Sequence, residues 1–204
     1  MKKKWFVSLG FVIPVIFWLT TLICGFILPD YDHSSRLVSD LGAMGTKSQY
    51  IFTTGLVLCS VISILFIISL YKTAKQFGIN TFPILVLLTY SFSIGGAGLF
   101  PLPLKLHPIL GSPSTVLFLS PLSAFILWRK IVPSSKYPSF IIFIVMSFGF
   151  LIYIPTFLDN YFGLKQRFFH FGWSIWFCYL SYIFAKILSN PSTILASTKY
   201  PQSN

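Results

Sequence analysis

The chain contains no glutamate, and its acidic residues are four aspartates: Asp30, Asp32, Asp40 and Asp159. Charged residues make up 9% of its 204 positions, where a soluble domain carries about 25% to cover its surface. That scarcity excludes an ordinary water-covered globule. Without glutamate there is no HExxH zinc helix, and no HxxxH pair stands in for it. No G-x-S-x-G elbow occurs, so a serine hydrolase of that design is excluded as well. The three cysteines, Cys24, Cys59 and Cys178, sit inside apolar stretches, with no metal-knuckle spacing and no even count. They read as small buried apolar residues rather than disulfides.

What is present is hydrophobic. Apolar residues reach 55%, aromatics 19% and mean hydropathy +0.79. About 20 consecutive apolar residues span the hydrocarbon core as a helix, and unpaired backbone groups in lipid allow only helices or closed barrels. The apolar runs are long and do not alternate, which argues for helices. Six spans are expected, at about 5–28, 50–71, 82–101, 112–128, 138–158 and 168–188. The fold class is therefore all-α, a polytopic bundle forming one domain over 1–190. A Ser/Pro/Thr-rich tail over 191–204 is expected to be disordered. The first run, Trp5–Leu28, exceeds the 7–15 apolar residues of a secretory signal and no small-residue cleavage site follows it. It is expected to stay as the first helix.

Ten of the fifteen basic residues fall on one side of these spans if the amino terminus is cytoplasmic. The other side carries Arg36, Lys47, Lys105, Lys165 and Arg167. The bias places both termini in the cytoplasm and accounts for the net charge of +11 without nucleic acid. Trp5, Tyr50, Tyr71, Trp128 and Tyr161 fall near expected membrane interfaces. Gly95, Gly96 and Gly98 read as a close helix-packing surface.

On this topology all four aspartates and the three histidines, His33, His107 and His170, lie on or just inside the outer side. The largest outer segment, 29–49, is expected to hold a short helix capped by Ser34 or Ser35, with Leu37, Leu41 and Met44 sharing a face. His170 stands about one turn into the last span, three residues after Arg167, so the two share a helix face. An ionisable group at that depth faces the bundle interior or a wet cavity, or else snorkels to the interface. Asp159 is a candidate partner for Arg167, and Asp40 is another. His33, His107 and His170 are candidate zinc ligands by co-location alone, with Asp40 orienting a ligand or acting as base. Catalytic candidates are Asp40 and His170. Ligand-binding candidates are Ser39, Asp40, Asp159 and Arg167. Thr20, Thr21, Thr89 and Ser91, near mid-membrane, are expected to bond to their own or neighbouring helices.

The stretch from His33 to Ala43, with its Ser39-Asp40-Leu41-Gly42 element, resembles the first outer loop of the prokaryotic membrane family known as domain of unknown function nine-nine-eight. Gly163-Leu164-Lys165-Gln166-Arg167 is similar to that family's Gly-Leu-x-x-Arg element before the last span. The resemblance covers nearly the whole chain. It implies a six-helix protein of a bacterial or archaeal cell membrane, and it singles out Ser39, Asp40, Gly42 and Arg167. A more distant similarity is to the alkaline ceramidase and adiponectin-receptor superfamily, which implies a histidine-bound zinc. This chain differs in having six spans where those proteins have seven, and in lacking their paired histidines on the last helix.

The leading expectation is a membrane protein without catalytic activity that binds a lipid or a membrane-protein partner at its outer face, with no cofactor. The alternative is a zinc-dependent hydrolase of lipid amides or esters. A small transporter ranks third, because no charged residue lies deep in mid-membrane.

Overall fold

The computed structural model describes residues 2–154 and 156–194. It is helical throughout, with no strand among the described residues. Six helices are long and apolar enough to cross a membrane: α1 (Trp5–Ile27), α2 (Gln49–Gln76), α3 (Phe82–Leu99), α4 (Leu106–Leu127), α5 (Pro133–Tyr153) and α6 (Phe162–Ser189). Each helix packs on its neighbours in the chain, and α6 returns to pack on α1. The six therefore form a closed up-and-down ring, the arrangement that short connections favour. Of the tail expected over 191–204, Pro191–Ile194 form a short helical turn, and the remainder lies outside the described residues.

Aromatic side chains fill the ring. Tyr90 lies between Trp173 and Phe177, with ring centroids 4.6 and 4.8 Å apart, and Phe17 meets Trp173 at 5.1 Å. Hydroxyls join the helices where no water is available. Ser63 and Ser91 bond across α2 and α3 at 2.7 Å, and Ser181 donates to the Val7 carbonyl at 2.7 Å. Thr21 and Thr89 bond back to their own helices, as expected. Gly95 and Gly98 approach Ser60 and Leu56 of α2, and Gly96 approaches Leu110 of α4. A Cβ at Gly96 would stand 2.7 Å from Leu110 Cβ, and one at Gly95 or Gly98 would require Ser60 or Leu56 to shift. The three cysteines are free, two of them buried.

Two expectations change at the helix ends. Trp128 is not an interfacial anchor: it is 1% exposed, and its indole donates to the Asn80 carbonyl at 2.8 Å, which fastens the end of α4 to the 77–81 turn. The last helix starts at Phe162, six residues before the expected 168, so the whole Gly163–Arg167 element is helical.

The ring is uneven. The most apolar stretches of α3 and α6 are each 56% buried within the protein, whereas those of α4 and α5 are only 28% and 22% buried. Those two are also irregular. Ser112–Phe118 in α4 and Phe148–Tyr153 in α5 tighten into 3-10 turns, whose hydrogen bonds are poorer than those of an α-helix. Pro113 at the start of the first segment has no backbone N–H to give.

Candidate functional site

The segment after α1 folds back over the start of α6. Asp32 begins it. Its carboxylate accepts from the backbone N–H and hydroxyl of Ser34 (2.9 and 2.6 Å) and from those of Ser35 (3.3 and 2.6 Å). The Ser34 and Ser35 hydroxyls hold that carboxyl well below the usual carboxylate range. The serines therefore do not cap a helix with their side chains. Their backbone carbonyls accept instead from the first N–H groups of α6, Ser34 from Leu164 at 2.8 Å and Ser35 from Gly163 at 3.2 Å. These are donors that a helix start leaves without intrahelical partners.

Arg167, one turn further along α6, grips the same segment. Its Nη1 donates to the Arg36 carbonyl at 3.1 Å and the Gly163 carbonyl at 3.0 Å. Its Nη2 donates to Tyr31 Oη at 2.9 Å and His33 Nδ1 at 3.0 Å. Arginine has no acceptor, so His33 Nδ1 carries a lone pair and the neutral ring has its proton on Nε2. Partial burial, and then the Arg167 charge, push the His33 pKa down. Burial pushes the Tyr31 phenol up against the opposing pull of Arg167. Gln166 completes the clasp, its Oε1 accepting from the Val38 N–H at 2.7 Å. Gly163 makes the closeness possible: a Cβ there would run into the Arg36 carbonyl and stand 2.7 Å from the His33 carbonyl. The two motifs read separately in the sequence are thus one structure.

Val38–Gly42 is a 3-10 helix rather than the expected turn of α-helix. With three residues per turn, Val38 and Leu41 face inward at 3% and 0% exposure, while Met44 is 52% exposed. The expected Leu37/Leu41/Met44 face does not form. Asp40 caps this helix by accepting from the Leu37 N–H at 3.1 Å. It also meets Arg36 Nε at 3.6 Å, the one ion pair among the described residues. Asp40 and Arg167 therefore do not pair directly. They are joined through the Arg36–Leu37 backbone and Tyr31, whose hydroxyl donates to the Leu37 carbonyl at 2.8 Å. Asp159 is exposed and does not pair with Arg167 either. Lys165, counted in the sequence among the basic residues of the outer side, is fully buried, with Nζ donating to the Ile154 carbonyl at 2.9 Å and sitting 4.8 Å from the centre of the Phe162 ring.

Beneath the clasp lies a half-open cavity of about 350 Å³ to which all six helices contribute. Val38, Ser39 and Gln166 border it on the clasp side. Phe17, Phe52, Leu56, Ile94, Phe169 and Trp173 supply apolar wall, and the irregular segments of α4 and α5 bring Ser112, Ser114, Thr115 and Phe150. No Asp, Glu, Lys or Arg side chain lines it. His107 and His170 are on its wall, and His33 is not. His107 Nδ1 is 2.9 Å from the Phe100 carbonyl. His170 Nδ1 accepts from the Trp173 indole at 3.0 Å. An indole N–H only donates, so the neutral His170 ring carries its proton on Nε2, and ligating a metal through Nε2 would require giving up the Trp173 bond. Among the described residues no three His, Cys, Asp or Glu side chains are grouped to hold a metal.

The model of the family described as "Protein of unknown function (DUF998)" matches residues 11–182. The chain belongs to this family. The match runs from α1 into α6 and includes both halves of the clasp and every cavity-lining residue. No curated protein and no solved structure matches the chain.

Sequence reasoning singled out Ser39, Asp40, Arg167, His107 and His170 here, and quoted Gly163 in the Gly-Leu-x-x-Arg element, but missed Tyr31, Tyr90, Ser93 and Trp173. The Trp173 signal was present as its three-residue spacing from His170. Tyr90 and Ser93 carried none, since they look like any polar residue inside an apolar run.

Proposed function

We propose that the protein is a lipid-binding membrane protein without catalytic activity, which holds the apolar portion of one amphiphile in this cavity, in a prokaryotic cell membrane with both termini cytoplasmic. The observation that carries the reading is the cavity itself, half-open, apolar-walled and within the transmembrane ring. Its size falls in the range of about 300–1,000 Å³ typical of small-molecule sites. A membrane offers such a cavity lipid at high local concentration. A protein partner at the outer face has less in its favour, because the polar groups there are spent on one another in the clasp.

The test is lipid retention. Protein purified in mild detergent should carry a lipid that survives exchange and is identified by mass spectrometry after extraction. An Ala97→Phe variant, which fills the cavity from α3, should lose it while keeping its size-exclusion profile. Equal retention by both proteins would sink the proposal.

A second reading, zinc-dependent hydrolysis of lipid esters or amides, draws on His107 and His170 sharing the cavity wall with Ser39. Near-stoichiometric zinc that disappears in both His107→Ala and His170→Ala would favour it over simple binding.

A further inference from the structure

Among the described residues, four buried side-chain polar atoms lack a hydrogen-bond partner: Tyr90 Oη, Ser93 Oγ, Ser139 Oγ and His170 Nε2. Three of the four belong to residues lining the cavity, and only Ser139 lies elsewhere. Tyr90 Oη meets the Cys59 thiol, a weak partner that does not replace a full hydrogen bond. Tyr90 and Ser93 are each 2% exposed. Unpaired buried polar atoms are rare in folded proteins and costly. Their concentration at one cavity points to an occupant that completes them.

The chemistry of the occupant follows from what the three atoms offer. His170 Nε2 carries a proton and has no lone pair to give, because Trp173 fixes the tautomer from the other side of the ring. The hydroxyls of Ser93 and Tyr90 can both donate. The occupant must therefore present an acceptor. It must also be uncharged there, since no Asp, Glu, Lys or Arg side chain lines the cavity to compensate a buried charge. An sp² carbonyl oxygen, with two lone pairs and no formal charge, meets both conditions.

Resting on the lipid-binding reading above, we infer that the cavity selects lipids through an uncharged carbonyl group, such as an acyl ester, an acyl amide or a quinone ring, received by His170 Nε2–H with Ser93 and Tyr90. The hydrocarbon chain lies along the Phe17, Phe52, Leu56 and Ile94 wall. Ionised heads such as phosphate or a free carboxylate are disfavoured.

The full chain in detergent, stripped of co-purified lipid, is titrated with monooleoylglycerol and with its ether analogue, which differs by lacking the carbonyl. An isoprenoid naphthoquinone and the matching naphthalene hydrocarbon form the second pair, and oleate is the charged control. At least one carbonyl ligand should bind about five- to tenfold more tightly than its carbonyl-free partner, the effect of roughly one net hydrogen bond. Which pair shows the difference identifies the source of the carbonyl. The difference within the pair should shrink in Ser93→Ala and vanish in His170→Phe. Equal binding within both pairs, the result expected if water satisfies these atoms, overturns the inference and leaves lipid binding standing. Tightest binding of oleate also overturns it. Failure of every ligand to bind, or binding that Ala97→Phe does not reduce, overturns the lipid-binding reading itself.

Discussion

A methyl group added at Gly163 has no free space to enter. In Gly163→Ala the new Cβ would overlap the Arg36 carbonyl oxygen, with the His33 carbonyl at 2.7 Å and Arg167 Nη1 at 2.9 Å. Two of these three neighbours are backbone, so relief requires the start of α6 to retreat from the 33–38 segment. That retreat lengthens Gly163 N–H to Ser35, Leu164 N–H to Ser34 and Arg167 Nη1 to Arg36 together. The first two contribute about 1 kcal/mol each and the charged one about 1.5–3 kcal/mol. Alanine recovers at most about 1 kcal/mol of helix propensity. The clasp should therefore weaken by about 2–4 kcal/mol. Limited trypsinolysis reads this directly, because Arg36 is the basic residue at the centre of the clasp and its carbonyl is held shut. If cleavage follows the open population, the Arg36–Leu37 bond should be cut about thirtyfold faster or more, at about tenfold per 1.4 kcal/mol. Gly111→Ala is the control. The nearest atom to its Cβ is Ala97 Cβ at 4.0 Å, so its cleavage rate should match the unaltered chain. Equal cleavage of Gly163→Ala and Gly111→Ala would refute the clasp.

His33 makes the clasp sensitive to acid. Its folded-state pKa lies below the ordinary value of 6.5, through burial and the Arg167 charge. As pH falls through 6.5 the unfolded chain binds the proton first, so this group's contribution to stability is present above that pH and is lost on acidification. Melting temperature in detergent should fall between pH 7.5 and pH 5.5, and His33→Asn, which keeps an acceptor for Arg167 but cannot titrate, should flatten the fall; an unchanged slope in the variant would count against the Arg167 contact. Lys165→Ala removes the buried ammonium that holds the Ile154 carbonyl and should cost about 2 kcal/mol, the range of a hydrogen bond to a charged group. Hydrogen exchange over 148–154 should rise with it, and exchange there identical to the unaltered chain would show that Lys165 is not the strut.

The six spans were legible because bilayer thickness imposes one length on any helix that crosses it. The start of α6 was not. Gly163, Lys165, Gln166 and Arg167 lower the local hydropathy, so the span seemed to begin at Phe168. The groups that stabilise the earlier start are the carbonyls of Ser34 and Ser35, which lie about 130 residues away in the chain. Periodicity within a window cannot register a cap supplied from that distance. The same limit explains Asp40. A sequence offers Arg36 and Arg167 as equally good partners, and the 3-10 geometry that turns Asp40 toward Leu37 N–H and Arg36 is a tertiary outcome.

Clasp and cavity are nonetheless one problem on α6. Gly163, Gln166, Arg167, His170 and Trp173 follow the i, i+3, i+4, i+7 spacing of a single helix face. The upper part of that face fastens the 31–38 segment, and the lower part lines the cavity. Gln166 belongs to both, bonding Val38 N–H while bordering the cavity. Each clasp bond therefore also holds the cover of the cavity in place. Entry from the aqueous side would have to break Arg167 from three acceptors of the 31–38 segment at once. Two stretches of the wall are less regular: Ser112–Phe118 and Phe148–Tyr153 have the poorer 3-10 hydrogen bonds and belong to the two least buried helices. On the lipid-binding reading, an occupant would meet less resistance through these stretches than past Arg167. The clasp then keeps water from the three unpaired polar atoms that a lipid carbonyl would otherwise have to win from it.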